Sequence, residues 1–253
     1  MILLETKNLC KSFDGVKALD NVSIEVERNK LTLVMGPNGS GKSTLINAIS
    51  GFIKVDSGKV IFEDRDITNR EPHEIYNYGI VRTFQNPEPL KSMTVLENVL
   101  IGRKHSGEEI TNALFTSRWM KEEEELVERA FKILEFLKLD HRWDHPSRAL
   151  SGGQMKLLEI GRALITDPKL IIMDEPIAGV APGLAHDIFS HVVELKNKGI
   201  SFLIVEHRLD IVLKYVDNLY VMFNGSVIAH GKGRDEIEKV LKDPKVTEVY
   251  IGD

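Results

Sequence analysis

The sequence predicts an α/β fold: a core with buried parallel strands, an antiparallel β subdomain and an inserted helical subdomain. Three observations predict it. Leu31-Thr32-Leu33-Val34-Met35 and Leu170-Ile171-Ile172-Met173 are continuous apolar runs of strand length, the pattern of a sheet covered on both faces. The first 30 residues alternate loosely in polarity, as half-exposed strands do. From about residue 90 to 166 the texture turns helical and charged.

In chain order, short antiparallel strands fill residues 1–30, with a turn at Asp14-Gly15. Leu31–Met35 runs into the glycine-rich Gly36-Pro37-Asn38-Gly39-Ser40-Gly41-Lys42-Ser43, and Lys42 to Ser50 reads as a helix closed by Gly51. Gly58–Phe62 is a further strand. Leu126, Ala130, Ile133, Leu134 and Leu137 recur at helical spacing, and the Glu122–Glu125 run is their solvated face. Asp144-His145-Pro146 breaks that pattern, and Met155 to Leu164 resumes it. Beyond Leu170–Met173, a helix is expected over Gly183 to Lys198 and a strand over Phe202–Val205. Tyr220–Phe223 and Val227–Ala229 flank the hairpin signal Asn224-Gly225. A charged helix from about Asp235 to Lys242 precedes Pro244.

Composition bounds the function. The chain has 253 residues, 42% hydrophobic, and a formal net charge of −5, so a general nucleic-acid binder, which needs a basic face, is disfavoured. Its one cysteine, Cys10, allows no internal disulfide, fits a reducing compartment and is expected to pack as a small hydrophobe. No apolar run approaches the roughly 18 residues that cross a bilayer, and the N-terminus meets Glu5 and Lys7 too soon for a signal peptide. A soluble chain is expected, with any membrane span supplied by other polypeptides.

Gly36–Ser43 fits G-x-x-x-x-G-K-[ST] in full, between a strand and a helix. Glycines let successive N–H groups turn toward phosphate oxygens, and the helix start adds a positive dipole end. Lys42 is then expected to reach the β- and γ-phosphates of a nucleoside triphosphate and the Ser43 hydroxyl to hold Mg²⁺. Asp174-Glu175-Pro176 ends the Leu170–Met173 strand; Asp174 suits the Mg²⁺ side, through water, and Glu175 suits a general base on the attacking water. Leu150-Ser151-Gly152-Gly153-Gln154 opens a helix: Ser151 can cap it and the two glycines leave N–H groups uncovered, which suits an anion, although taken alone such a segment is more often a plain cap than a ligand site. Gln85, His207 and Phe13, each taken alone, read as a surface glutamine, a satisfied histidine and a core aromatic.

Together, and in this order, these segments resemble the nucleotide-binding domain of the ATP-binding-cassette (ABC) superfamily over nearly the whole chain. The resemblance implies a P-loop NTPase (RecA-like) core over about 31–57, 71–88 and 167–232. It implies an antiparallel β subdomain over about 1–30 and 58–70, a helical subdomain over about 89–166 and a C-terminal helical tail over about 233–253. It implies that Phe13 stacks on adenine with Val16 beside it, that Gly36, Pro37, Asn38, Gly39, Ser40, Gly41, Lys42, Ser43 and Thr44 bind ATP, and that Gln85 meets Mg²⁺ and water and senses a transport partner. Leu150–Gln154 matches the family signature, which grips the γ-phosphate of an ATP held by a second copy. Glu175 is then the catalytic glutamate and His207 the γ-phosphate switch.

The loop Ala178-Gly179-Val180-Ala181-Pro182 is similar to that of the high-affinity branched-chain amino acid importers, in particular their LivG-type subunit; the lipopolysaccharide-export ATPase carries a related loop. Ala181 departs from the usual Asp or Asn and has no polar group to offer across a dimer. The resemblance implies an ATPase on the cytoplasmic, inner face of the membrane. Its implied partners are permease subunits, an identical or similar second ATPase and, indirectly, a substrate-binding protein. A soluble ABC ATPase for DNA repair or translation is the competing class, against which stand the single cassette and the short stretch between Gln85 and Leu150. A P-loop kinase or GTPase would leave the signature and His207 unexplained.

Overall fold

Leu31–Met35 forms β4, and all five residues are buried. The computed structural model describes residues 1–83, 89–103 and 116–251. Gln85 lies outside the described residues. By contacts the chain divides into two units: Met1–Gln85, Lys169–Ala178 and Phe189–Asp253 make one, and Asn86–Pro168 with Gly179–Ile188 makes the other.

The first unit holds two sheets. A six-stranded sheet runs in the order β11-β10-β4-β9-β8-β7, from Ser226–Lys232, Asn218–Phe223, Leu31–Met35, Ser201–Val205, Leu170–Asp174 and Ile80–Thr83. The β10-β4, β4-β9, β9-β8 and β8-β7 pairings are parallel; the β10-β11 hairpin is antiparallel. Its central strands β4, β8 and β9 are apolar nearly end to end because helices and loops cover both faces. The second sheet is five-stranded and antiparallel: β2 (Val16–Val22), β1 (Ile2–Phe13), β5 (Ser57–Phe62) and β6 (Arg65–Asp66) in order, with β3 (Glu25–Glu27) also pairing β1. One apolar cluster spans residues of both sheets, from Leu4 and Phe62 to Leu45, Ile172 and Leu203.

The helices of this unit begin with α1 (Lys42–Ile49), capped at its C-terminus by Ser50 and followed by Gly51 at φ 79°, the left-handed position glycine favours. Next comes α2 (Pro72–Asn77). The second unit contains α3 (Val95–Leu100), α4 (Thr116–Phe136) and α5 (Gly152–Leu164). On α4, Ala130 and Leu134 are fully buried, with Leu137 just beyond the helix, while Glu122–Glu125 faces solvent. Then α6 covers Pro182–Asn197, α7 Leu209–Val212, α8 Gly233–Leu241 and α9 Pro244–Ile251.

Two local differences from the sequence reading have physical causes. Helix α5 starts at Gly152, three residues before Met155, because Ser151 and Gln154 form a reciprocal capping box. Cys10 is not a buried hydrophobe: it is half-exposed, and its Sγ lies 3.4 Å from the Asn21 amide and 3.6 Å from Asn21 Oδ1. The β1–β2 register shift on either side of Lys11 accompanies that placement.

Candidate nucleotide site

The strand order decides what meets. Parallel strands β4, β9 and β8 are consecutive neighbours, and each ends in a chemistry-bearing segment: Gly36 after β4, Glu206-His207 after β9, Asp174-Glu175 at the end of β8. Ligands of open α/β sheets bind outside such carboxyl ends.

The phosphate loop is pinned to its surroundings by backbone. A Cβ on Gly36 would lie 2.2 Å from the Met222 carbonyl oxygen, and one on Gly41 (φ 101°) would lie 2.4 Å from that of Ala18, so only glycine fits at either. The Gly225 amide donates to the Ser40 carbonyl at 3.1 Å, fastening the loop to the β10–β11 turn. Helix α1 has no side-chain cap and no acidic residue in its first turn, which leaves its positive end uncompensated.

Lys42 is buried, and its ammonium donates to the carbonyls of Gly36 and Pro37, both at 2.8 Å. Burial pushes its pKa down, against the upward pull of the nearby Glu175 and Asp174 carboxylates. The phosphate-loop lysine and both carboxylates at the end of β8 therefore share one electrostatic environment. His207 Nε2 lies 3.0 Å from Glu175 Oε1. Glu175 sits at φ 48°, a left-handed conformation that costs a non-glycine residue on the order of 1–2 kcal/mol. The turn is held by Glu175 N–H on the Val205 carbonyl at 2.9 Å and Ala178 N–H on the Glu175 carbonyl at 3.1 Å.

The β1–β2 turn presents Phe13 and Val16, which pair across it and are 44% and 70% exposed. Phe13 is therefore no core aromatic; an exposed ring at a hairpin tip suits stacking on a base. Ser43 is exposed and Thr44 half-buried at the start of α1. In the second unit, Ser151 and Gly152 are exposed at the head of α5, and Leu150 and Gly153 are buried. Ala181 is exposed and heads α6, where its carbonyl accepts from Ala185 N–H at 3.0 Å and its side chain offers no cap.

Two residues of this edge carry no signal in the sequence. Arg82 on β7, nearly buried, pairs with Asp174 Oδ2 at 3.1 Å. Its guanidinium also donates to Asn47 Oδ1 and Ser50 Oγ of the α1 region and lies 5.5 Å from the Phe52 ring centroid. Glu206, 2% exposed, accepts from three backbone amides. A buried arginine and a buried glutamate become functional only once their tertiary partners are known.

The donor set fits Mg²⁺, which takes oxygen ligands and keeps part of its shell for substrate phosphates and water. Ser43 supplies a hydroxyl and Asp174 a carboxylate whose Oδ1 makes no hydrogen bond among the described residues. Nitrogen or sulfur donors are not part of the set.

An α/β core with a pinned phosphate loop, a buried lysine and a glutamate–histidine pair beside it defines a nucleoside-triphosphate hydrolase. Residues 19–178, more than half of the chain, match the family model described as ABC transporter. The chain belongs to that family and is one of its ATP-binding ATPase subunits. It is 66% identical, over 100% of its length and 98% of the relative's, to a protein of Methanocaldococcus jannaschii named probable branched-chain amino acid transport ATP-binding protein LivG. Among solved structures, it covers 100% of an ABC-transporter cassette in its ADP conformation at 66% identity and a TM-score of 0.89. A cassette solved as a dimer after hydrolysis, with ADP and Pi, is 26% identical over 92% of this chain and 99% of its own, with a TM-score of 0.73. Among the described residues, no helix is long and apolar enough to cross a membrane.

Proposed function

We propose that this chain is the ATP-hydrolysing subunit of a branched-chain amino acid importer. In this reading it works on the inner face of the cell membrane with permease subunits and a second ATPase subunit. The chemistry rests on one observation: Glu175 and His207 lie 3.0 Å apart beside the buried Lys42. The cargo rests on the full-length identity to a protein named for that transport.

Phe13 and Val16 hold the adenine, the Gly36–Ser43 amides cradle the phosphates and Lys42 binds the β- and γ-phosphates. Ser43 and Asp174, with Gln85, would hold Mg²⁺. When bound, Mg²⁺ neutralises charge on the phosphate oxygens. Glu175 Oε1 takes the proton of the attacking water, a role worth roughly 10²–10⁴ in rate. His207 Nε2 orients that carboxylate and contacts the γ-phosphate. Ser151 and the Gly152 and Gly153 amides of a second copy complete the site, so ATP closes a head-to-tail dimer and hydrolysis reopens it. Without a polar group at Ala181, coupling across the dimer runs through the phosphates and the signature.

The test of the chemistry is Glu175→Gln. It should lower ATP turnover at least roughly 100-fold and trap an ATP-bound dimer on gel filtration; turnover at the parent rate overturns the assignment. The cargo is tested by leucine uptake into vesicles that carry the chain with its permease subunits. ATP-driven leucine uptake supports the reading, and hydrolysis without leucine uptake refutes it.

A further inference from the structure

Strands β8 and β9 are in register to their ends, Asp174 opposite Val205, so the chains that leave them run out side by side. Past that point the Glu175 amide still bonds the Val205 carbonyl, at 2.9 Å. Beyond that bond, the side chain of Glu206 links the two departing segments. Its Oε1 accepts from the Ile177 amide, two residues after Glu175, at 3.0 Å. Its Oε2 accepts from the amides of His207 at 2.8 Å and Arg208 at 3.2 Å. The carboxylate is buried, so water cannot stand in for these bonds.

We propose that Glu206 is a positioning residue for hydrolysis: it staples the Glu175 segment to the His207 segment and so sets the 3.0 Å contact between their side chains. A carboxylate suits this task because the three backbone groups it bonds are all donors, and an ionised carboxylate accepts on both oxygens. Glutamine has the same shape, but its amide would turn an NH₂ toward either Ile177 or the His207–Arg208 pair. One side of the staple then opens. A shift of about 1 Å between groups that act together can cost roughly 100-fold in rate. None of the bonds of Glu206 reaches the phosphate loop, so nucleotide binding should not depend on it.

The inference rests on the roles given above to Glu175 and His207, and the experiment separates the two. Purified full-length parent, Glu206→Gln, Glu206→Asp and Glu175→Gln are compared for steady-state ATP hydrolysis and for binding of a fluorescent ATP analogue. Glu206→Gln should lower kcat roughly 10- to 100-fold with analogue affinity within about threefold of the parent. Glu206→Asp, whose shorter side chain spans only part of the gap, should fall between the two. Unchanged kcat in Glu206→Gln, with Glu175→Gln inactive, overturns the positioning role and leaves the catalytic reading intact. Full turnover by Glu175→Gln overturns the catalytic reading itself. Parallel loss of kcat and analogue affinity in both Glu206 variants marks a merely structural residue and overturns the proposal. Should Glu206→Gln not fold, the same kcat-against-affinity comparison on Glu206→Asp decides.

Discussion

The two regions that carry the nucleotide motifs are built in opposite ways. At the carboxyl edge of the six-stranded sheet, the charged groups are partly buried and bonded to one another or to backbone. Lys42 holds two carbonyls, Asp174 holds Arg82, and Glu175 meets His207. At the head of α5 there is only a capped helix: Ser151 is engaged with Gln154, and Gly152 is open to solvent. One ion pair at the sheet edge and one in the second unit differ in the same way. Arg82–Asp174 has side chains 10% and 13% exposed, whereas Arg103–Asp167 in the second unit is 43% and 62% exposed. The first region is closed by bonds among its own groups, and the second leaves the head of its helix exposed.

The largest expected effect falls on the first region. Lys42→Ala should abolish ATP-analogue binding and hydrolysis together, at least roughly a 100-fold loss, because it removes the buried cation of the phosphate loop. Retained binding would mean that the loop amides suffice. Next in size is Arg82→Met, which strands the Asp174 carboxylate and should cost about 3 kcal/mol in chemical denaturation. Arg103→Met, at the exposed pair, should cost at most about 1 kcal/mol. Equal costs would erase the contrast between the regions. Ser151→Ala removes a cap worth about 1 kcal/mol, yet it should lower hydrolysis more than that modest instability explains, with analogue binding unchanged. A proportional loss of both would return Ser151 to a plain helix cap.

The smallest effect concerns pH. Burial alone would raise the Asp217 pKa, but the Leu31 amide, Lys196 and Lys30 overcome it and hold the carboxyl below its usual range. The stability this contributes is present above the ordinary carboxylate pKa of 3.8 and is lost as pH falls below it. Asp217→Asn should therefore destabilise the first unit by about 2 kcal/mol near neutrality and unfold with a shallower acid limb. An acid limb as steep as the parent's would assign the acid sensitivity elsewhere.

How much was legible in the sequence follows the same division between local and tertiary causes. Strands β4, β8 and β9 could be read because burial on both faces forces apolar runs, and the phosphate loop because close backbone approach at Gly36 and Gly41 excludes side chains. Phe13 read alone as a core residue, and only the hairpin geometry puts it at an exposed tip. Arg82 and Glu206 were invisible: nothing local distinguishes a strand arginine or a glutamate before a histidine until the partners arrive from α1, β8 and the following loop. Glu175 is recognisable from its position after β8, but its left-handed turn is not, because that conformation is imposed by Val205 and Ala178.

The central claim is that each ATP site is shared between two copies, and complementation tests it most directly. Gly152 has open space where a Cβ would stand, whereas Gly153 would drive one into Leu184, so Gly152→Glu can fold while placing a negative charge where the γ-phosphate of the other copy would sit. Lys42→Ala and Gly152→Glu should each be inactive alone. Mixed, they form dimers with one intact site, Lys42 from one copy and Ser151-Gly152-Gly153 from the other, and ATP hydrolysis should rise well above that of either variant. A mixture as inactive as its components, with dimers present by gel filtration, would contradict the shared site.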